Sequence, residues 1–150
     1  MGNRLSKIVT RTGDGGETGL ATGDRIRKSH QRVDAIGEVD ELNCCIGLML
    51  AVALPKAVHD AVAPAQDELF DLGGELAMPE AVVITDEYLA RLDAAIAELN
   101  AELPPLKEFV LPGGNEAAAR AHLARAVARR CERALWRLSE SDSVNPNALR

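Results

Sequence analysis

Four stretches of this chain repeat apolar side chains at steps of three and four, and that spacing restricts the fold more than any other feature. Residues 30–54 carry Ala35, Val39, Leu42, Ile46, Met49 and Ala53. Residues 57–78 carry Val58, Val62, Ala65, Leu69, Leu72 and Leu76. Residues 86–103 carry Leu89, Leu92, Ile96, Leu99 and Leu103, and residues 115–140 carry Ala117, Ala121, Ala124, Ala128, Cys131, Leu135 and Leu138. Each stripe predicts a helix with one buried face. The breaks agree: Pro55, Pro79 and Pro104-Pro105 stop the first three helices, Thr85 caps the third before acidic Asp86 and Glu87, and Asn115 caps the fourth. No stretch alternates long enough to require a sheet, although Ile8–Thr10 is a candidate short strand. The expectation is an all-α bundle with helices crossing near 20°.

A length of 150 residues makes one domain the default. Residues 1–28 form an N-terminal segment, 29–140 the bundle, and 141–150, where periodicity is lost, a polar turn. A net charge of −6 argues against nucleic acid as the main partner, since only the last helix is locally basic. Cys44, Cys45 and Cys131 form no C-x-x-C, which favours a reducing, cytoplasmic setting and argues against zinc. Adjacent Cys44 and Cys45 read as buried small apolar residues. The N-terminus, Met-Gly-Asn-Arg-Leu-Ser, lacks an apolar signal core and matches a short acylation pattern that recurs by chance. No apolar run is long enough to span a bilayer, so no membrane partner is expected. His30, His59 and His122 lack ligand spacing, and neither a metal site nor a nucleophilic triad is expected.

Two regions carry chemistry. The loop Thr10–Leu20 holds Gly13, Gly15, Gly16 and Gly19 with hydroxyls at Thr10, Thr12 and Thr18. Such a loop can turn backbone N–H groups toward an anion. It is neither a P-loop nor a Rossmann fingerprint, and a mobile surface turn is the alternative. The last helix carries Arg125, Arg129, Arg130 and Arg133, and a second stripe of His122, Arg125, Arg129, Glu132 and Trp136 beside its core face. A salt-bridged surface is the plain reading of that stripe; a grip on phosphate is the functional one. Asp40 lies between Gly37 and Gly47 and either pairs with an arginine or is solvated, whereas Glu38 and Glu41 read as solvated charges. Phe109, in the apolar loop from Lys107 to Gly114, is either core or a wall for a flat ligand.

Thr10–Leu20, Arg25–Lys28, Arg32–Gly47, Leu69–Leu76, Phe109–Gly114 and His122–Arg133, in this order, resemble the PduO-type ATP:cob(I)alamin adenosyltransferases. The resemblance implies a ferritin-like bundle of five helices, with the last apparently absent here. It implies homotrimers with active sites between subunits. It implies transfer of the 5′-deoxyadenosyl group of ATP, accompanied by magnesium, to the cobalt of a reduced cobalamin, with release of triphosphate. By motif position, Thr10, Arg11, Thr12, Gly13, Asp14, Gly15, Gly16 and Thr18 wrap the ATP phosphates and Lys28 neutralises them. Arg129, Glu132 and Arg133 hold the nucleotide from the helical side. Arg125 pairs with Asp40 of a neighbouring subunit. Phe109 lies against the lower face of the corrin and displaces its axial ligand, so Phe109, Arg129 and Glu132 are the implied catalytic residues. The implied partners are a cob(II)alamin reductase and an adenosylcobalamin-dependent enzyme. Gly15 departs from the family's usual lysine or acidic residue. A carrier that only delivers adenosylated corrinoid, and a purely structural bundle, are the competing readings.

Overall fold

The computed structural model describes residues 9–150. Four α-helices dominate it: α1 (Gln31–Leu50), α2 (Lys56–Leu76), α3 (Asp86–Asn100) and α4 (Glu116–Ser139). Each occupies one of the apolar stripes. Asn115 caps α4 as expected, its side-chain oxygen accepting the N–H of Ala118 at 2.9 Å. Thr85 stands at the N-cap of α3 in an extended conformation, but its side chain makes no capping bond. Pro55 is not the stop of α1, which ends at Leu50 with Ala51 as its cap; it is instead the N-cap residue of α2. Proline lacks an N–H, so a helix start suits it.

α1 packs between α2 and α4. Ala35 and Val39 of α1, Leu76 of α2, and Cys131, Ala134, Leu135 and Leu138 of α4 form the main core. Cys45, Ala124 and Val127 form a second cluster further along. α1 and α4 run antiparallel: Arg120 donates to the Leu48 carbonyl at one end, and Ser141 Oγ bonds Gln31 at 3.0 Å at the other. Alanines on both sides of this seam keep the two backbones close. The seam of α4 is turned slightly from the expected stripe, since Val127 and Ala134 are buried and Ala128 only half so.

α3 departs from expectation. Its apolar stripe exists, but none of its residues is buried, and Ile96 is 64% exposed. The helix is pinned to α2 by polar contacts instead. Arg91 pairs with Glu68 and donates to the Ala61 carbonyl at 3.2 Å, while Tyr88 OH donates to Asp71 at 2.8 Å. The Asp71 carboxylate that accepts this bond raises the Tyr88 pKa, and pairing with Glu68 raises that of Arg91. An apolar trough of about 510 Å³ opens between the four helices, lined by Leu42, Ile46, Leu69, Leu72, Leu89 and Leu92 among others.

Two segments differ in kind from their sequence reading. A hairpin precedes α1, with β1 (Glu17–Gly19) antiparallel to β2 (Arg25–Arg27) and Thr18 opposite Ile26. Val9 and Thr10 form no strand, and Ile8 lies outside the described residues, as does the acylation pattern. Residues 141–150 are not a polar surface turn. Val144 and Leu149 pack on the main core, and Pro146–Leu149 form a 3₁₀ turn capped by Asn145. Among the described residues, no helix is long and apolar enough to cross a membrane.

Candidate active site

The glycine loop is built by its own backbone and by one arginine. Asp14 N–H donates to the Arg11 carbonyl at 3.3 Å, and Gly16 N–H to the Gly13 carbonyl at 3.2 Å. Arg11 and Gly16 both take positive φ (58° and 85°), the left-handed region that only glycine adopts without cost. Arg25 reaches back from β2 and donates to the Thr12 carbonyl at 2.9 Å. The Thr10 and Thr12 hydroxyls share a 2.9 Å hydrogen bond. Lys28 closes the loop: its N–H donates to the Gly16 carbonyl at 2.9 Å, and its ammonium lies over Gly13. A Cβ on Gly13 would come within 3.0 Å of Lys28 Nζ, so glycine lets the charge approach the loop backbone. Gly15 has open space around it, so a side chain at that position would meet no neighbour. Asp14 and Gly15 are exposed, and Thr18 is half-buried in β1.

The arginines of α4 divide between two directions. Arg129 is 68% exposed on the side chain and pairs with Glu132 at 3.0 Å. Arg133 Nη1 donates to the Arg129 carbonyl at 3.1 Å. Arg130, one step and about 100° round the helix, faces α1. It is held there by Glu38 at 2.6 Å and by Glu41. The two carboxylates push its pKa up. Glu38 and Glu41 are therefore partners of a core-flanking arginine and not the solvated charges that sequence suggested.

Asp40 and Arg125 are both exposed, and neither forms an ion pair among the described residues. Phe109 is fully exposed, which removes the core reading. With Leu106, Val110, His122 and Arg125 it lines a cavity of about 550 Å³ at the flank of α4. Cys45 and Cys131 are buried, and burial pushes the Cys131 thiol up to about 11. Cys44 is exposed, against expectation, because it falls on the outer face of α1.

The structure thus assembles Gly13, Lys28 and the Thr10–Thr12 hydroxyls at one place, and Arg129, Glu132 and Arg133 at another. No hydrogen bond or ion pair joins the two groups within the described residues of one chain. Sequence reasoning overlooked Arg25, which holds the loop, and the two buried charges Arg32 and Glu75. Both buried charges sit on a core register, three residues before Ala35 and three after Leu72, which is the signal that could have found them.

The family model described as cobalamin adenosyltransferase matches residues 8–150. This chain belongs to that family. A cobalamin adenosyltransferase of Cupriavidus metallidurans is 52% identical over 146 residues, which is 97% of this chain and 79% of that protein. The corrinoid adenosyltransferase PduO of Citrobacter freundii is 43% identical over 149 residues, 95% of this chain and 44% of that protein. A phenylalanine-to-alanine variant of a PduO-type ATP:corrinoid adenosyltransferase from Lactobacillus reuteri, solved with cobalamin and ATP, superposes with a TM-score of 0.86 at 30% identity. That superposition covers 95% of this chain and 83% of the solved one. An arginine-to-lysine variant of a Lactobacillus reuteri enzyme of the same type, solved with ATP, gives the same TM-score and identity. The family's helical fold is therefore the fold of this chain, with a short two-stranded sheet in front of it.

Proposed function

We propose that this protein transfers the 5′-deoxyadenosyl group of ATP to the cobalt of cob(I)alamin, forming adenosylcobalamin and releasing triphosphate. The observation that carries the reading is the family match over residues 8–150. The reduced cobalt is the nucleophile and attacks C5′ of the ribose; the C5′–O bond breaks and triphosphate leaves. The protein needs no nucleophilic side chain, so its work is orientation and electrostatics. Loop N–H groups, the threonine hydroxyls and Lys28 suit the growing negative charge on triphosphate. Asp14 would repel phosphate unless a cation lay between them, which fits magnesium held by phosphate oxygens and water. Arg129, oriented by Glu132, offers a planar fork to the nucleotide, with Arg133 beside it.

Phe109 is the wall for the flat face of the corrin. An aromatic ring there excludes the lower axial ligand, and four-coordinate cobalt(II) is more easily reduced. The phenylalanine and arginine substituted in the two Lactobacillus structures lie as far apart in sequence as Phe109 and Arg129 do here.

No hydrogen bond or ion pair joins the two half-sites among the described residues of one chain, which suits a site that draws them from different copies. This supports a homotrimer with sites between subunits, in which Arg125 meets Asp40 of a neighbour. One domain, residues 1–150, contains both halves, and its place is the cytoplasm, with a cob(II)alamin reductase upstream and an adenosylcobalamin-dependent enzyme downstream.

The test is spectroscopic. The protein is mixed anaerobically with magnesium-ATP and cob(II)alamin, and absorption and EPR spectra are recorded. The expected result is a four-coordinate cobalt(II) signal that Phe109→Ala abolishes. A wild-type spectrum identical to free cob(II)alamin overturns the reading.

A further inference from the structure

Among the described residues two charged side chains are buried, and the chemistry above uses neither: Arg32, 2% exposed, and Glu75, 4% exposed. Both lie at one end of the bundle, each holding a different stretch of residues 142–145. Arg32 Nη1 donates to the Leu76 carbonyl at 3.0 Å, Nε to Asp142 Oδ2 at 3.0 Å, and Nη2 to the Ser143 carbonyl at 3.1 Å. Glu75 Oε2 accepts the N–H groups of Val83 and Ile84, at 2.5 and 2.7 Å, and the amide of Asn145 at 3.1 Å. Arg32 and Asp142 form an ion pair, with Asp142 partly exposed, and such a pair is weak evidence for stability, because apolar residues of equal volume often serve as well. A planar guanidinium adds fixed direction: one rigid group here holds three segments of chain.

The nucleotide loop hangs from the same place. The Ala77 carbonyl, next to the Leu76 carbonyl that Arg32 grips, accepts the N–H of Ala21 in the turn between β1 and β2 at 3.1 Å. On the other side, only Ser29, His30 and Gln31 separate Lys28 from Arg32. The loop therefore has two anchors, the end of α2 and the start of α1. Arg32 is the residue that bonds one anchor to the other, and it adds residues 142–143 to the same knot.

We propose that Arg32 is a positioning residue for the nucleotide loop, locking the start of α1 to the end of α2 so that residues 10–28 are presented in one register. Its consequence for turnover rests on the reading that this loop holds the ATP phosphates. Arg32 is buried and acts through the segments that it bonds.

Three variants test it. Asp142→Asn leaves Arg32 in place and removes its charged acceptor. Arg32→Lys keeps the charge but cannot reach three acceptors in three directions. Glu75→Gln loosens residues 83–84 and Asn145, and its side chain bonds none of Arg32, the Leu76 carbonyl and the Ala77 carbonyl. The ligand-free proteins are treated with trypsin, and cleavage after Arg25, Arg27 and Lys28 is followed by mass spectrometry. Cleavage there is expected to be at least tenfold faster in Asp142→Asn and Arg32→Lys than in wild type, and unchanged in Glu75→Gln. In turnover, the first two variants are expected to raise the KM for ATP at least fivefold, with kcat within twofold and the KM for corrinoid unchanged. Loop cleavage at the wild-type rate in Asp142→Asn overturns the proposal, as does equal acceleration in Glu75→Gln, which would mark general loosening. Should Arg32→Lys fail to fold, Asp142→Asn decides alone. A wild-type protein that does not turn over sinks the functional reading, and the ligand-free proteolysis still decides the coupling.

Discussion

Leu138→Ala is expected to lower the free energy of unfolding by about 3–5 kcal/mol, the upper range for a leucine truncated in a closed core. Leu138 is fully buried at the seam of α1 and α4. Its neighbours there include Ala35, Cys131 and Ala134. These side chains are too short to swing into the space that a leucine leaves, so the cavity persists and its cost is added to the lost transfer free energy. A domain of this size is stable by roughly 5–15 kcal/mol in total, and each kilocalorie corresponds to about 2–4 °C in melting temperature. The variant should therefore melt roughly 6–20 °C lower at matched protein concentration. Ile96→Ala is the control, since a half-open site on α3 loses little burial and should change stability by less than about 1 kcal/mol. Denaturant titration of both variants checks the contrast. If the two losses are alike, the core does not lie where the structure puts it.

The contrast between Leu138 and Ile96 also marks the limit of what periodicity reveals. A stripe at three-four spacing says that a helix has an apolar face, and it located α1, α2, α3 and α4 to within a few residues. It does not say what covers the face. α4 packs closely on α1, whereas α3 packs mainly on α2 and borders an open trough, so similar stripes have different burial. Arg129 and Arg130 show the same limit for charge. They are adjacent in sequence and opposite in role, because 100° of rotation sends one to solvent and the other to Glu38 and Glu41. Which is which depends on the side where α1 lies.

The hairpin was illegible for a simpler reason: strands of three residues are too short to alternate. The C-terminal residues misled through composition. Residues 141–150 read as a polar turn, yet Asp142, Ser143, Asn145 and Asn147 spend polar groups on Arg32, Glu75 and the Ile84 carbonyl. The chemistry at Phe109 rested on resemblance, and its full exposure then removed the competing core reading. Arg32 and Glu75 were legible in principle, since a charge on a core register must find partners or be expelled.

The second large effect is on turnover. Arg129→Ala is expected to lower kcat/KM by about 10- to 150-fold, the equivalent of losing one charge-assisted hydrogen bond of roughly 1.5–3 kcal/mol. Stability should change little, since the side chain is 68% exposed and its contact with Glu132 is an i,i+3 surface pair. Arg129→Lys should recover only part of the loss, because an ammonium cannot present two parallel N–H groups. Arg130→Ala supplies the comparison from the next residue. It breaks the contacts to Glu38 and Glu41 and should lower the melting temperature while leaving the rate per folded molecule close to wild type. Initial rates, thermal melts and size-exclusion profiles of the three variants separate the effects. A rate that falls without a change in melting or assembly places Arg129 against the substrate. A rate that tracks melting in both alanine variants removes Arg129 from the site. The outer stripe of α4 would then be a salt-bridged surface, and the phosphate grip would have to come from the loop and Lys28 alone.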